Sequence, residues 1–177
     1  MNINLLTNSD PTNSVVVNAA TGELLFEFTS PFSLGSKTTT MLDPRKQVVA
    51  VYKRNLLGQE LTYRGQTSKL SDWLAQGGIL HSRERTFAAP NERTYKWKWD
   101  RGGRDLELSD CQTGQVVAQS HEQPTRLSAL LSPGSSRNQS VAILPEGLAI
   151  LETVVLTFVL CNDDWCMMNM SVYDGGR

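Results

Sequence analysis

Whatever chemistry this chain of 177 residues performs must draw on two histidines, three cysteines and a run of bases around residue 93. A nucleophilic relay of the Ser/His/Asp or Cys/His kind would have to use His81 or His121, yet no nucleophile elbow accompanies either, and "SPGSS" lacks the Gly-x-Ser-x-Gly form. His121-Glu122 has no second histidine at zinc-helix spacing, and "NDD" at 162–164 lacks the periodic oxygens of a calcium loop. Cys111, Cys161 and Cys166 form neither an even disulfide framework nor paired zinc ligands, so reduced thiols are expected. The glycine clusters at 77–78, 102–103 and 175–176 lack the spacing of a phosphate-cradling loop and read as turns or tail. No catalytic set, metal site or cofactor is expected. Glu152 alone stands out, as a carboxylate inside an apolar run. It is read as lying at a rim or pairing with a base, in preference to a buried acid with a role of its own.

Bases offer more. In "RTYKWKWD", residues 93–100, Tyr95, Trp97 and Trp99 alternate with Lys96 and Lys98. Side chains alternate across a strand, so the rings face inward and the amines outward. From Arg83 to Arg104 seven bases stand against three acids. The candidate site is a surface patch of Arg83, Arg85, Lys96, Lys98, Arg101 and Arg104. If adjacent strands bring these to one outer face they can hold an anionic phospholipid headgroup; the competing reading is a solvated strand exterior. Inward rings cannot stack on bases, which disfavours nucleic acid. The charge is segregated along the chain: −3 over residues 1–36, +8 over 37–104 and −6 over 105–177. A net charge of −1 therefore conceals a dipolar distribution compatible with an anionic partner.

The elements that must carry these residues are mostly strands. Between residues 14 and 144 the apolar period is two, in eleven short runs from "SVVVNA" to "SVAILP" separated by turn residues. "SKLSDWLAQGG" predicts a short helix over 68–76, and "SPGSSRNQS" predicts a loop over 132–140. In "LPEGLAILETVVLTFVLC" the stretch from Leu148 to Cys161 is apolar on nearly every side. Its 14 residues are too few for a membrane span and long for a strand, and Pro145-Glu146 suits a helix start; a helix over 146–161 is favoured over strands. Such a helix must be enclosed by protein. The reading is therefore mostly β: a closed antiparallel β-barrel around a hydrophobic C-terminal central helix, the alternative being a sandwich whose last segment is a long strand. Residues 14–161 form the single domain, 1–13 a flexible N-terminus and 162–177 a C-terminal tail in which Asp163 and Asp164 oppose the helix dipole. The opening residues show no signal peptide, so an intracellular site, cytoplasmic or peripheral to a membrane, is expected.

The segments "SDWL", "RTFAAPNERTYKWKW", "LELSD" with "TGQVVAQ", and "AILPEGLAILETVVLTFVL" resemble a fungal, mostly basidiomycete, family of unknown function. That family is similar to the tubby C-terminal-like superfamily, with its LURP-one-related proteins and phospholipid scramblases. The resemblance implies a barrel of about twelve strands around a helix. It also implies a non-catalytic module for anionic phospholipid or a protein partner, the alternative being an enzyme or small-ligand protein with a site at the barrel mouth. No phosphoinositide motif of tubby-like domains matches residue by residue.

Overall fold

The computed structural model describes residues 1–7, 10–31, 34–77, 83–100, 105–122 and 139–173, with side chains as far as residue 163 apart from that of Glu122. Period-two alternation is realised in thirteen strands of one antiparallel sheet. These are β1 (Asn2–Thr7), β2 (Ser14–Asn18), β3 (Leu24–Thr29), β4 (Ser36–Leu42), β5 (Val48–Asn55), β6 (Gly58–Tyr63) and β7 (Gln66–Lys69). They continue as β8 (Ala75–Gln76), β9 (Glu84–Ala88), β10 (Thr94–Trp99), β11 (Leu106–Asp110), β12 (Val116–Glu122) and β13 (Gln139–Ile143). Three helices complete the described fold: α1 (Leu70–Trp73), α2 (Pro145–Leu148) and α3 (Leu151–Tyr173). Of the stretches read from sequence as strands, "TRLSALL" lies outside the described residues, as does most of the 132–140 loop.

Spatial order runs β7-β6-β5-β4-β3-β2-β1-β13-β12-β11-β10-β9-β8. Each strand pairs with its neighbour in sequence at every step but one, from β7 to β8, and β1 pairs in addition with β13. The closed barrel expected from sequence is therefore not closed by hydrogen bonds. Between the two edges the chain makes the single turn of α1. Four rings line this seam: Tyr63 of β6 meets Trp73 of α1 at 5.6 Å, Trp73 meets Phe87 of β9 at 6.0 Å, and Phe87 meets Tyr95 of β10 at 5.9 Å.

The sheet curls around α3. Every residue from Val154 to Cys161 is at most 2 % exposed, so the helix has protein on all sides. Val154, Val155 and Val159 lower helix propensity, but a segment in the middle of a curled sheet has no strand beside it. Only a helix satisfies its backbone N–H and C=O groups internally. α2 starts with Pro145 in its first turn, and Gly147 lets it approach β12 closely: a Cβ there would lie 2.5 Å from the Val117 carbonyl oxygen.

Two boundaries differ from the sequence reading. Residues 2–7 are strand β1, hydrogen-bonded to β2 and β13, not a free N-terminus. Ile3, Leu5 and Thr7 point inward in alternation with Asn2, Asn4 and Leu6, a period short enough to pass for a polar terminus. At the other end the helix continues to Tyr173 where a tail was expected. Its 23 residues span about 34 Å, whereas the eight residues of β5 span about 26 Å, so α3 outruns the sheet. Among the described residues no helix is long and apolar enough to cross a membrane.

Candidate functional site

Register decides where the predicted bases point. β10 pairs with β9 so that Tyr95 faces Phe87, Trp97 faces Arg85 and Lys98 faces Glu84. Tyr95, Trp97 and Trp99 are buried as expected, and the same parity carries Arg85 inward. Arg85 is 4 % exposed, with its guanidinium 5.4 Å from the Trp99 ring centroid and donating to the Glu84 carbonyl at 3.1 Å. It does not join an outer patch. The signal was in the sequence: Arg85 lies two residues from Phe87, and the alternation that turns the ring inward takes the arginine with it.

On the outer face Lys96 pairs with the Glu84 carboxylate at 3.4 Å. Lys98 is exposed and stands opposite Glu84 on one side and Glu107 on the other. Arg83 is exposed at the end of β9 and donates to the Asp100 carbonyl at 3.3 Å. Arg101 and Arg104 lie outside the described residues. The two lysines thus share the outer face with carboxylates interleaved, whereas Arg83 stands opposite Trp99, on the parity that faces inward along β9.

Polar clusters stand at both ends of the enclosed part of α3. At its entry end the Tyr63 hydroxyl donates to Glu152 at 2.7 Å and lies 3.0 Å from the Thr153 hydroxyl. The Arg64 guanidinium approaches both Glu152, at 3.4 Å, and the Tyr63 oxygen, at 3.2 Å. Arg64 and Gly65 have φ of +50° and +76°, the left-handed pair of a two-residue hairpin, which turns the arginine back over the Tyr63 ring. Burial, reinforced by Glu152, pushes the Tyr63 phenol above its ordinary pKa, so it remains a protonated donor at neutral pH. Glu152 therefore has a base and a phenol as partners at the rim.

At the exit end Asp163 accepts from Lys37 at 3.1 Å and from Arg54 at 3.1 Å, and Lys37 also reaches Asp10 at 3.2 Å. Burial works to raise the Asp10 carboxyl, but the Thr12 hydroxyl and amide together with Lys37 outweigh it and hold the pKa below the usual value. Asp163 was expected to oppose the dipole at a helix C-terminus. It lies instead within the helix and is matched by cations from β4 and β5, a pairing that sequence separations of 126 and 109 residues conceal.

The remaining chemistry-bearing residues stay apart. His81 lies outside the described residues, and His121 is exposed on β12 opposite Ser140. Burial raises the pKa of Cys111, whose residue is exposed as a whole, and Cys161 is enclosed in α3. Among the described residues no three His, Cys, Asp or Glu side chains gather as a metal site, and no buried side-chain nitrogen or oxygen lacks a partner.

A family model described as a family of unknown function, DUF6593, matches residues 9–165, spanning β2 to β13, α1, α2 and the enclosed part of α3. The chain belongs to this family. Its fold is similar to that of an X-ray structure of a protein from Arabidopsis thaliana, AT5G01750. The TM-score is 0.55 and the identity 14 %, over 92 % of this chain and 90 % of that one. At that identity the likeness concerns the fold alone. No curated protein matches the sequence.

Proposed function

We propose that this DUF6593 protein is a non-catalytic, tubby-like module of fungal type that works inside the cell by docking its outer surface on anionic phospholipid headgroups. The observation that supports this reading most is the filled interior. A helix enclosed from Val154 to Cys161 occupies the space in which a curled sheet would hold a small ligand, so recognition falls to the outside. On that outside, the half-buried Lys96 and the exposed Lys98 are the bases of β10, Arg83 is exposed just before β9, and Arg101 and Arg104 follow β10 in the sequence. The cluster at Glu152 argues against a catalytic mouth, because each of its polar groups is used to tie the helix to β6 and the following turn.

Each lysine near an anionic bilayer contributes about 1 kcal/mol, and salt weakens the attraction. Sedimentation with phosphatidylserine-containing vesicles should therefore fade as salt is raised and be absent with phosphatidylcholine alone. Reversing Lys96→Glu together with Lys98→Glu should weaken binding by at least about tenfold, from roughly 2 kcal/mol for the pair, while the circular dichroism spectrum is retained. Unchanged binding in that variant would remove these two lysines from the site.

A further inference from the structure

From Val154 to Cys161 α3 is wrapped by protein, and Thr157 is the one polar residue of that stretch. A helix with no polar face has no apolar stripe to set its position, because each face suits the surrounding strands. Packed helices shift past their neighbours in whole turns of about 5.4 Å. The bond from the Trp97 indole to Thr157 does not choose among such positions. Thr153 lies one turn back on nearly the same side, and a one-turn shift toward the exit end brings its hydroxyl to the indole in place of Thr157.

Two carboxylates do choose. Glu152 and Asp163 are separated by about three turns, so they lie on one side of α3 with about 16 Å between them along the axis. Their partners stand at matching levels of the adjoining strands. Tyr63 and Arg64 meet Glu152 at the end of β6, and Lys37 and Arg54 meet Asp163 at the far end of β4 and β5. Arg54 is paired with Gln59 of β6, which stands a strand rise of about 14 Å from Tyr63. Helix and strand spacings thus agree to within the reach of a side chain. Lys37 and Arg54 are also direct partners in the β4–β5 register, on the parity that carries Thr39, Met41, Ala50 and Tyr52 inward. Like charges opposed on one face of a sheet repel, and the Asp163 carboxylate, its side chain 6 % exposed, bonds to both. A one-turn shift toward the exit would set Val159 between them; the reverse shift would carry Asp163 about 6 Å into the apolar interior.

We infer that Glu152 and Asp163 are register pins: the Tyr63–Arg64–Glu152 cluster and the Lys37–Asp163–Arg54 triad select one axial position of α3 within the curled sheet. In doing so they set how much helix, residues 164–173, continues past the enclosed part. Specifying one arrangement among several is the best attested role of buried ionic groups, whose apolar replacements often match them in stability. The test follows the Trp97 indole N–H by proton–nitrogen NMR on the full chain. It compares wild type, Glu152→Gln, the triple change Lys37→Met, Arg54→Met and Asp163→Leu, and these four changes combined. Wild type should give one Trp97 indole peak. The combined variant should keep its far-UV circular dichroism and cooperative melting, yet show a second Trp97 peak with roughly a tenth or more of the intensity. That second peak should vanish when Thr153→Val is added, because the shifted register needs the Thr153 hydroxyl at the indole. A single peak at the wild-type position in the combined variant would overturn the pins and leave the ion pairs a matter of stability alone. Loss of cooperative melting in the combined variant, or a second peak untouched by Thr153→Val, would overturn them equally.

Discussion

Thr157 lies in the most enclosed part of the molecule, and both capacities of its hydroxyl are used. It donates to the Thr153 carbonyl one turn back at 2.7 Å and accepts from the Trp97 indole N–H at 2.8 Å. The ring of Trp97 also meets Phe158 at 5.8 Å, so one tryptophan ties β10 to the helix through both a polar and an apolar contact. Replacing Thr157→Val keeps the shape and leaves the indole donor without a partner, at a cost of about 1–3 kcal/mol. Thr157→Ser keeps the hydroxyl and loses one methyl group, about 1 kcal/mol. Urea denaturation should place the valine variant below serine; a valine variant as stable as the wild type would show that this bond contributes nothing net. Inward orientation of Trp97 was legible from its alternation with Lys96 and Lys98. The donor's destination was not, because period two specifies a face and says nothing about which atom waits across the core.

Elements show the same division between periodicity and register. The apolar run after Pro145 pointed to an enclosed helix because its hydrophobicity has no polar face, and the structure realises it despite a valine-rich composition. What periodicity could not supply was the break at Ala149-Ile150 between α2 and α3, or the continuation past Asp163, whose charge looked like an end signal until Lys37 and Arg54 were seen to match it. β1 escaped detection because half of its six residues are asparagine or threonine, and pairing with β2 and β13 stabilises it where propensity does not. The break depends on Gly147. Its amide donates to the Leu144 carbonyl at 3.0 Å, while Leu144 donates to Val117 at 2.9 Å, drawing α2 against β12 with no room for a side chain. Gly147→Ala places a methyl group 2.5 Å from backbone oxygen and 3.0 Å from Ile143 Cγ2, and overpacking of this kind costs about 1–3 kcal/mol. Thermal melting should register the loss, and an alanine variant that melts with or above the wild type would mean that α2 is free to move outward.

At the scale of the whole molecule, the curl is completed by two unlike joints. Where the first and last strands meet, β1 and β13 share four register pairs, and the Met1 amino group donates to the Ile143 carbonyl at 2.7 Å. Opposite, β7 and β8 share none, and β8 itself offers only two residues to β9. A sheet joined so unevenly has a weakest line, and local opening follows the line with fewest backbone bonds and least buried apolar surface. The seam is held by α1 and by the ring sequence Tyr63, Trp73, Phe87 and Tyr95, in which Trp73 is the member that touches both sides. Removing a fully buried tryptophan side chain costs about 3–5 kcal/mol, and Trp73, partly exposed, should cost less. The distribution of that loss is the informative quantity. In Trp73→Ala, amide hydrogen exchange should accelerate in β7, β8 and the adjoining part of β9, while the amides of β1 and β13 keep their protection at low denaturant. A rise spread evenly over all strands would mean that the sheet opens only as a unit, with the aromatic contacts across the seam coupling its edges as tightly as backbone pairing does elsewhere.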